Sequence, residues 1–118
     1  MSIKLEGFDE FFNWASDAPQ EVKEEVHKVI KQAGASIERE AKSLAPVDTG
    51  RLRGSITSKD KSNDQYMSVE IGTDVEYAEH VEFGTYKTKA QPFLFPAYNA
   101  QEQRIVNDLN KAVGRGVD

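Results

Sequence analysis

Between Val22 and Leu44 every third or fourth residue is apolar: Val22, Val26, Val29, Ile30, Ala33, Ile37, Ala41 and Leu44. At 3.6 residues per turn these side chains fall on one stripe, so the spacing predicts an amphipathic helix of about 25 residues that must bury one side. Glu21, Lys23, Glu24, Glu25, Lys28, Lys31, Glu38, Arg39, Glu40 and Lys42 occupy the remaining surface as a solvated face. Glu24 and Lys28 have the i, i+4 spacing that adds a few tenths of a kcal/mol. Asp17, Ala18 and Pro19 supply a start, a carboxylate for free backbone amides followed by a Pro preset for the first turn. Pro46 supplies the stop. Gly34 sits in mid-stripe at a cost of about 1 kcal/mol against Ala, which points to a close approach by another element.

The rest of the chain reads as shorter pieces that could cover this stripe. Ile3 to Glu6 alternate as in a strand, and Gly7 breaks the pattern. Phe8, Phe11, Phe12, Trp14 and Ala15 then have helical spacing and are expected to dock on the core. Residues 47–54, VDTGRLRG, mix turn formers with two arginines and read as a loop or single turn. Ser55 to Lys61 and Tyr66 to Gly72 flank SNDQ as a hairpin, with Met67, Val69 and Ile71 on one face and Ser68 and Glu70 on the other. Two strands alone are marginal, so a third is expected from Ile3 to Glu6 or from part of Thr85 to Gln91.

Val75 to Phe83 place Tyr77, Ala78 and Val81 at helical spacing, with Gly84 as the C-terminal cap. Thr85 to Gln91 have no apolar periodicity and no acid to pair Lys87 and Lys89, the pattern of a mobile loop or an arm ordered by a partner. PFLFP, residues 92–96, reads as an aromatic turn leading into a helix from Ala97 to Val113, with Ala97, Ala100, Ile105, Leu109, Ala112 and Val113 on one side. The expectation is an α+β fold in one domain, 1–118, with the long helix and a C-terminal helix packed on a small antiparallel sheet.

Composition removes several functions. At 118 residues the chain can bury roughly two-thirds of its unfolded surface, and six Phe, four Tyr and one Trp can anchor that core. Without cysteine there is no disulfide, thiolate metal site or cysteine nucleophile. No cationic start precedes an apolar run, and no uncharged apolar stretch is long enough to span a bilayer, so neither leader nor membrane anchor is expected.

His27 and His80 are the only histidines, and neither belongs to an HExxH pattern; no GxSxG or Walker pattern is present. Gly50, Gly54, Gly72 and Gly84 are too scattered to cradle a phosphate. No catalytic residue, cofactor site or metal site is therefore assigned. Fifteen basic against twenty acidic side chains give a formal charge of −5, the wrong sign for a protein that grips phosphates along an extended surface. Arg51, Arg53, Lys59 and Lys61 nevertheless form a local basic cluster against Asp60 alone, and Lys87 and Lys89 flank Tyr86. Such a surface suits an acidic neighbouring subunit; its alternative is a nucleic-acid-binding accessory role in assembly.

Three blocks in order, APVDTGRLRGSI at 45–56, YAEHVEFGT at 77–85 and AQPFLFPA at 90–97, resemble the siphophage head-tail joining and tail-completion proteins, the gene-product-ten-like family. With the flanking helices the resemblance extends over nearly the whole chain. It implies an α+β fold without catalysis or cofactor, assembled as a ring in the neck or at the head-proximal end of the tail of a phage or prophage. It implies as partners further copies and other neck or tail proteins, with a monomer in isolation allowed, and as location the virion after assembly in the host cytoplasm. In this reading Pro46 stops the long helix, Thr49 and Gly50 make the turn, and Arg51 points outward or at a carboxylate. Gly84 ends the short helix and releases the loop, and Pro92 and Phe93 pin the chain back on the core. The expected assembly contacts are Arg51, Arg53, Lys59, Lys61, Thr85, Tyr86, Lys87, Thr88 and Lys89, with Glu79 and Glu82 as acidic counterparts.

Overall fold

The computed structural model describes residues 1–6, 19–47, 50–63 and 67–114. Its elements are β1 (Ser2–Glu6), α1 (Gln20–Leu44), α2 (Arg51–Ser55), β2 (Thr57–Asp60), β3 (Ser68–Gly72), α3 (Ala78–Phe83) and α4 (Leu94–Ala112). The fold is α+β: α1 and α4 pack together and onto one antiparallel sheet of order β1-β3-β2. The third strand comes from the N-terminus, with Ile3 opposite Ile71 and Leu5 opposite Val69.

The middle of the stripe on α1 is buried as its spacing requires, with Val26, Ile30, Ala33, Ile37 and Ala41 in the core beside Leu52, Ile56, Val69, Ile71, Phe93, Leu94 and Ala97, while Val22 and Val29 are half-buried and Leu44, at the end of the helix, is exposed. At Gly34 helix and sheet approach too closely for a side chain. A Cβ there would lie 2.6 Å from Val69 Cγ1 and 2.7 Å from Ser58 Oγ. Pro19 occupies the N-cap, one position before the first turn, and its carbonyl accepts from the Val22 and Lys23 amides. Asp17 and Ala18, like the aromatic cluster Phe8 to Ala15 and like Thr49, lie outside the described residues. At the other end Ala45 is extended, ψ 136°, as a residue preceding proline prefers.

Three local expectations are corrected. Ser55 is not in the expected strand but ends α2, the short helical turn that opens at Arg51 after Gly50 in the left-handed region, and β2 starts at Thr57. Ser68 is buried, not solvent-facing, because the chain after β2 folds over it and Ser62 Oγ accepts from its amide. The last helix begins at Leu94, three residues early, and includes Pro96 in its first turn, where a missing N–H costs nothing. Ala100 of its expected apolar side is exposed.

The sheet face away from α1 carries Lys4, Glu70 and Lys59 opposite one another across the three strands, an open polar surface of alternating charge.

Candidate assembly interface

The basic segment does not form one patch. Arg51 begins α2 and reaches Glu76, donating from both terminal nitrogens at 3.0 and 2.8 Å, while its guanidinium lies 5.5 Å from the centre of the Tyr77 ring. This two-pronged hydrogen bond holds the Glu76 carboxyl below its usual range and raises the Arg51 guanidinium. Of the two directions expected for Arg51, it takes the one toward a carboxylate, so it is not an unpaired cation. Beside it, Ser55 Oγ donates to the Leu52 carbonyl and meets Thr73 Oγ1, which accepts from the Val75 amide and so turns the chain toward α3. Arg53 is half-buried, with its Nε enclosed and without a hydrogen-bond partner among the described residues.

Lys59 and Lys61 lie farther along β2 and beyond it, exposed, with Lys59 opposite Glu70. Asp60, between them, is 2.7 Å from His27 Nε2 on α1 and accepts from the Ser62 amide at 2.9 Å. Hydrogen bonds from Ser62, with a further one from His27, lower its pKa to about 2. The segment is thus divided between two ends of the sheet.

The α3–α4 junction is built around Glu82. Ala78 and Glu82, one helical turn apart, form the inward side of α3, and Glu82 is only 3% exposed. Its Oε1 accepts from the Phe93 and Leu94 amides at 3.2 and 2.8 Å, and Oε2 from the Phe95 amide at 3.3 Å. Phe93 at the N-cap has no side-chain acceptor of its own, so a carboxylate eleven residues upstream satisfies the first donors of α4 and faces the positive end of its dipole. Glu82 is therefore not an acid offered to a neighbour, and the expectation that paired it with Glu79 fails on burial. Glu79 itself is exposed.

Gly84, φ 76°, ends α3 and donates to the His80 carbonyl. Any side chain there would run into the returning strand of chain, since a Cβ would lie 2.7 Å from the Ala90 nitrogen and 2.9 Å from the Thr88 carbonyl oxygen. The loop beyond is closed on itself and is not a free arm. Thr85 and Thr88 exchange backbone hydrogen bonds, Thr85 Oγ1 accepts from the Lys87 and Thr88 amides, and Gln91 N–H returns to the Val81 carbonyl. This short turn lifts Tyr86, 93% exposed, with Lys87 Nζ 5.4 Å from its ring centre. Among the described residues no carboxylate pairs Lys87 or Lys89 in an ion pair.

Phe83, the last residue of α3, and Phe95, in the first turn of α4, stand beside the loop with ring centres 5.8 Å apart. Phe83 is 62% and Phe95 41% exposed, so α3 and α4 present an aromatic pair to solvent next to a cationic turn. Neither was expected at an interface. The signal lay in the phase of α3: with Ala78 and Glu82 turned inward, the residue after Glu82 is rotated toward solvent. Pro92 is exposed beside the junction while Phe93 is fully buried, so the pinning of the chain falls to Phe93.

Residues 6–84 match the family model described as "Bacteriophage HK97-gp10, putative tail-component". The chain belongs to the HK97-gp10-like family. The matched span contains the long helix, α2, β2, β3 and α3, and of β1 only its last residue, Glu6, so the family's common part is the scaffold on which the junction is mounted. It ends at Gly84, before the loop and the third sequence block. Comparison with curated proteins and with solved structures yields no match. No described helix is long and apolar enough to cross a membrane, and among the described residues no group of acidic and histidine side chains is placed to hold a metal.

Proposed function

We propose that this member of a phage tail-component family is a structural subunit, one domain across 1–118, that joins head to tail or completes the tail as part of a ring. In this reading it works by contact and without catalysis. Its contacts with further copies and with other neck or tail proteins centre on the loop Thr85–Lys89 and the exposed pair Phe83 and Phe95. Arg51, Arg53, Lys59, Lys61 and Glu79 lie on outlying surfaces that neighbours can reach. The subunit assembles in the host cytoplasm and resides in the neck or tail of the particle.

The observation that carries this reading is the junction itself. A buried carboxylate and a tight turn hold two phenylalanines and a tyrosine in solvent, where they contribute little to the stability of one chain. Aromatic side chains held rigidly at a surface are what protein interfaces use. A nucleic-acid role draws less support, because Arg51 is committed to Glu76, Lys59 faces Glu70 and the net charge is −5.

Mass spectrometry of purified particles, followed by electron microscopy of labelled particles, tests the proposal. A ring of this chain at the head–tail junction is the expected result. Its absence from finished particles, or tight salt-dependent duplex binding by the purified chain, would replace the proposal with a transient or nucleic-acid-handling role.

A further inference from the structure

The last helix carries two apolar stripes, and the fold of one chain uses only the first. Leu94, Ala97, Gln101, Ile105 and Ala112 fall on the side that packs on α1: Leu94 and Ala97 are buried, the other three are half-buried, and Gln101 Nε2 donates to the Ser36 carbonyl at 3.3 Å. Displaced by one residue, about 100° around the helix, Phe95, Tyr98, Glu102, Val106 and Leu109 follow one another at steps of three and four. Of these, Phe95 is 41% and Val106 39% exposed, Tyr98 and Leu109 are half-buried, and Glu102 is exposed. An apolar flank therefore runs from the junction down α4 in contact with solvent.

The charges on this flank are one-sided. Glu102 is its single charged group and has no ion-pair partner among the described residues. By the helical period, both cations of α4, Arg104 and Lys111, lie on the far side, where Arg104 pairs with Asp108 at 3.8 Å. At the head of the helix the signs are reversed. Lys87 and Lys89 are the cations without a carboxylate partner, and they stand beside the exposed rings of Tyr86 and Phe83.

The loop does not lie along its own helix. Gln91 N–H on the Val81 carbonyl and the Leu94 amide on Glu82 fix it at the first turn of α4, and Tyr86, 93% exposed, rests its ring on no part of that helix. Val106 is three turns farther on, about 16 Å beyond Phe95. The loop of a second copy has no such tether.

Resting on the ring reading above, we infer that the exposed flank of α4 around Glu102 and Val106 in one copy is the docking site for the loop Thr85–Lys89 of the next. The complementarity is twofold: Tyr86 covers Val106 and its apolar neighbours, and Lys87 and Lys89 meet Glu102. Such a contact joins unlike surfaces head to tail, the type of interface that closes into a ring when the rotation between copies permits.

The chain has no cysteine, so disulfide trapping reads only the positions introduced. Full-length chains carrying Tyr86→Cys are mixed with chains carrying Val106→Cys, assembled into particles and oxidised; a bridge requires the two Cα atoms within about 7 Å. The expected result is a covalent dimer of one chain of each kind, identified by mass spectrometry of the linked peptides. It should be absent when Arg104→Cys, on the far side of α4, replaces Val106→Cys. Adding Glu102→Lys to the Val106→Cys chain should cut the yield about tenfold, and adding Lys87→Glu with Lys89→Glu to the Tyr86→Cys chain should restore it. Links between two Val106→Cys chains alone, no mixed link, or a charge swap that fails to rescue overturn the inference. Electron microscopy of the same particles separates the two levels: a ring without the mixed link removes this contact alone, whereas the absence of a ring removes the ring reading with it.

Discussion

The segment 51–61 and the junction 82–95 both combine charged residues with a turn, yet they use charge in opposite ways. In the first, charged groups find partners near the surface: Arg51 pairs with Glu76, and Asp60 is held by hydrogen bonds to Ser62 and His27. In the second, the one carboxylate is buried on backbone amides, and the lysines extend without a counter-ion among the described residues. Exposed ion pairs exchange hydration for a partner of similar worth and contribute little. A buried carboxylate that caps a helix has no such substitute, because its removal leaves several amide donors enclosed and unsatisfied. The first segment is thus the tolerant part of the surface, and the second is a rigid mount whose unspent charges face outward.

The largest expected effect is on assembly. Lys87→Glu with Lys89→Glu should abolish incorporation of the chain into particles while leaving its denaturation midpoint unchanged, measured by infectivity beside chemical unfolding. Intact infectivity would remove the loop from the interface. Next, Glu82→Ala should destabilise the fold by about 3 kcal/mol, from a lost cap and unsatisfied buried amides. Glu82→Gln, which keeps one acceptor oxygen, should cost less. A Glu82→Ala variant within about 1 kcal/mol of the parent in urea unfolding would end the contrast between the two regions, since that is what a dispensable surface residue shows.

A smaller effect is expected at Asp60. Its pKa falls from 3.8 to about 2 in the folded chain, so its contribution is present above pH 4 and is lost as pH falls through that window. Asp60→Asn should therefore be less stable than the parent at neutral pH, and the difference should shrink between pH 4 and pH 2, as read from thermal unfolding across that range. Its carboxylate is about one-third exposed, which keeps the effect modest. The smallest belongs to Arg51→Ala, which should leave the unfolding midpoint unmoved within error, because both Arg51 and Glu76 are exposed. A clear loss would mean that the Arg51–Glu76–Tyr77 contact organises the entry to α3.

Several features are legible in the residues alone. The stripe from Val22 to Leu44 specifies α1, Pro46 its end, Gly34 a close approach, and the alternation around Val69 and Ile71 a central strand. Gly84 marks the end of α3. These are periodicities and backbone constraints that act over a few residues, and the burial of Val26 to Ala41 along α1 and of Val69 and Ile71 in β3 follows them. The family resemblance is also legible, in two blocks that fall largely within the matched span 6–84.

The junction is less so. Glu82 reads from its neighbours as one more surface acid in EYAEHVEFG, and the start of α4 has no local N-cap to announce itself at Leu94. A sharper signal is present: a helix opening with Phe-Leu-Phe-Pro and no Ser, Thr, Asp or Asn before it needs an acceptor from elsewhere. Sequence alone determined the long helix, the antiparallel pairing of β2 with β3 and which face of α1 is buried, because spacing along the chain carries that information. Only the tertiary structure decided which charges are spent inside and which are left exposed. That choice depends on residues eleven to thirty-three positions apart, Glu82 with Phe93, Arg51 with Glu76 and His27 with Asp60, meeting where water is excluded in one case and present in the others.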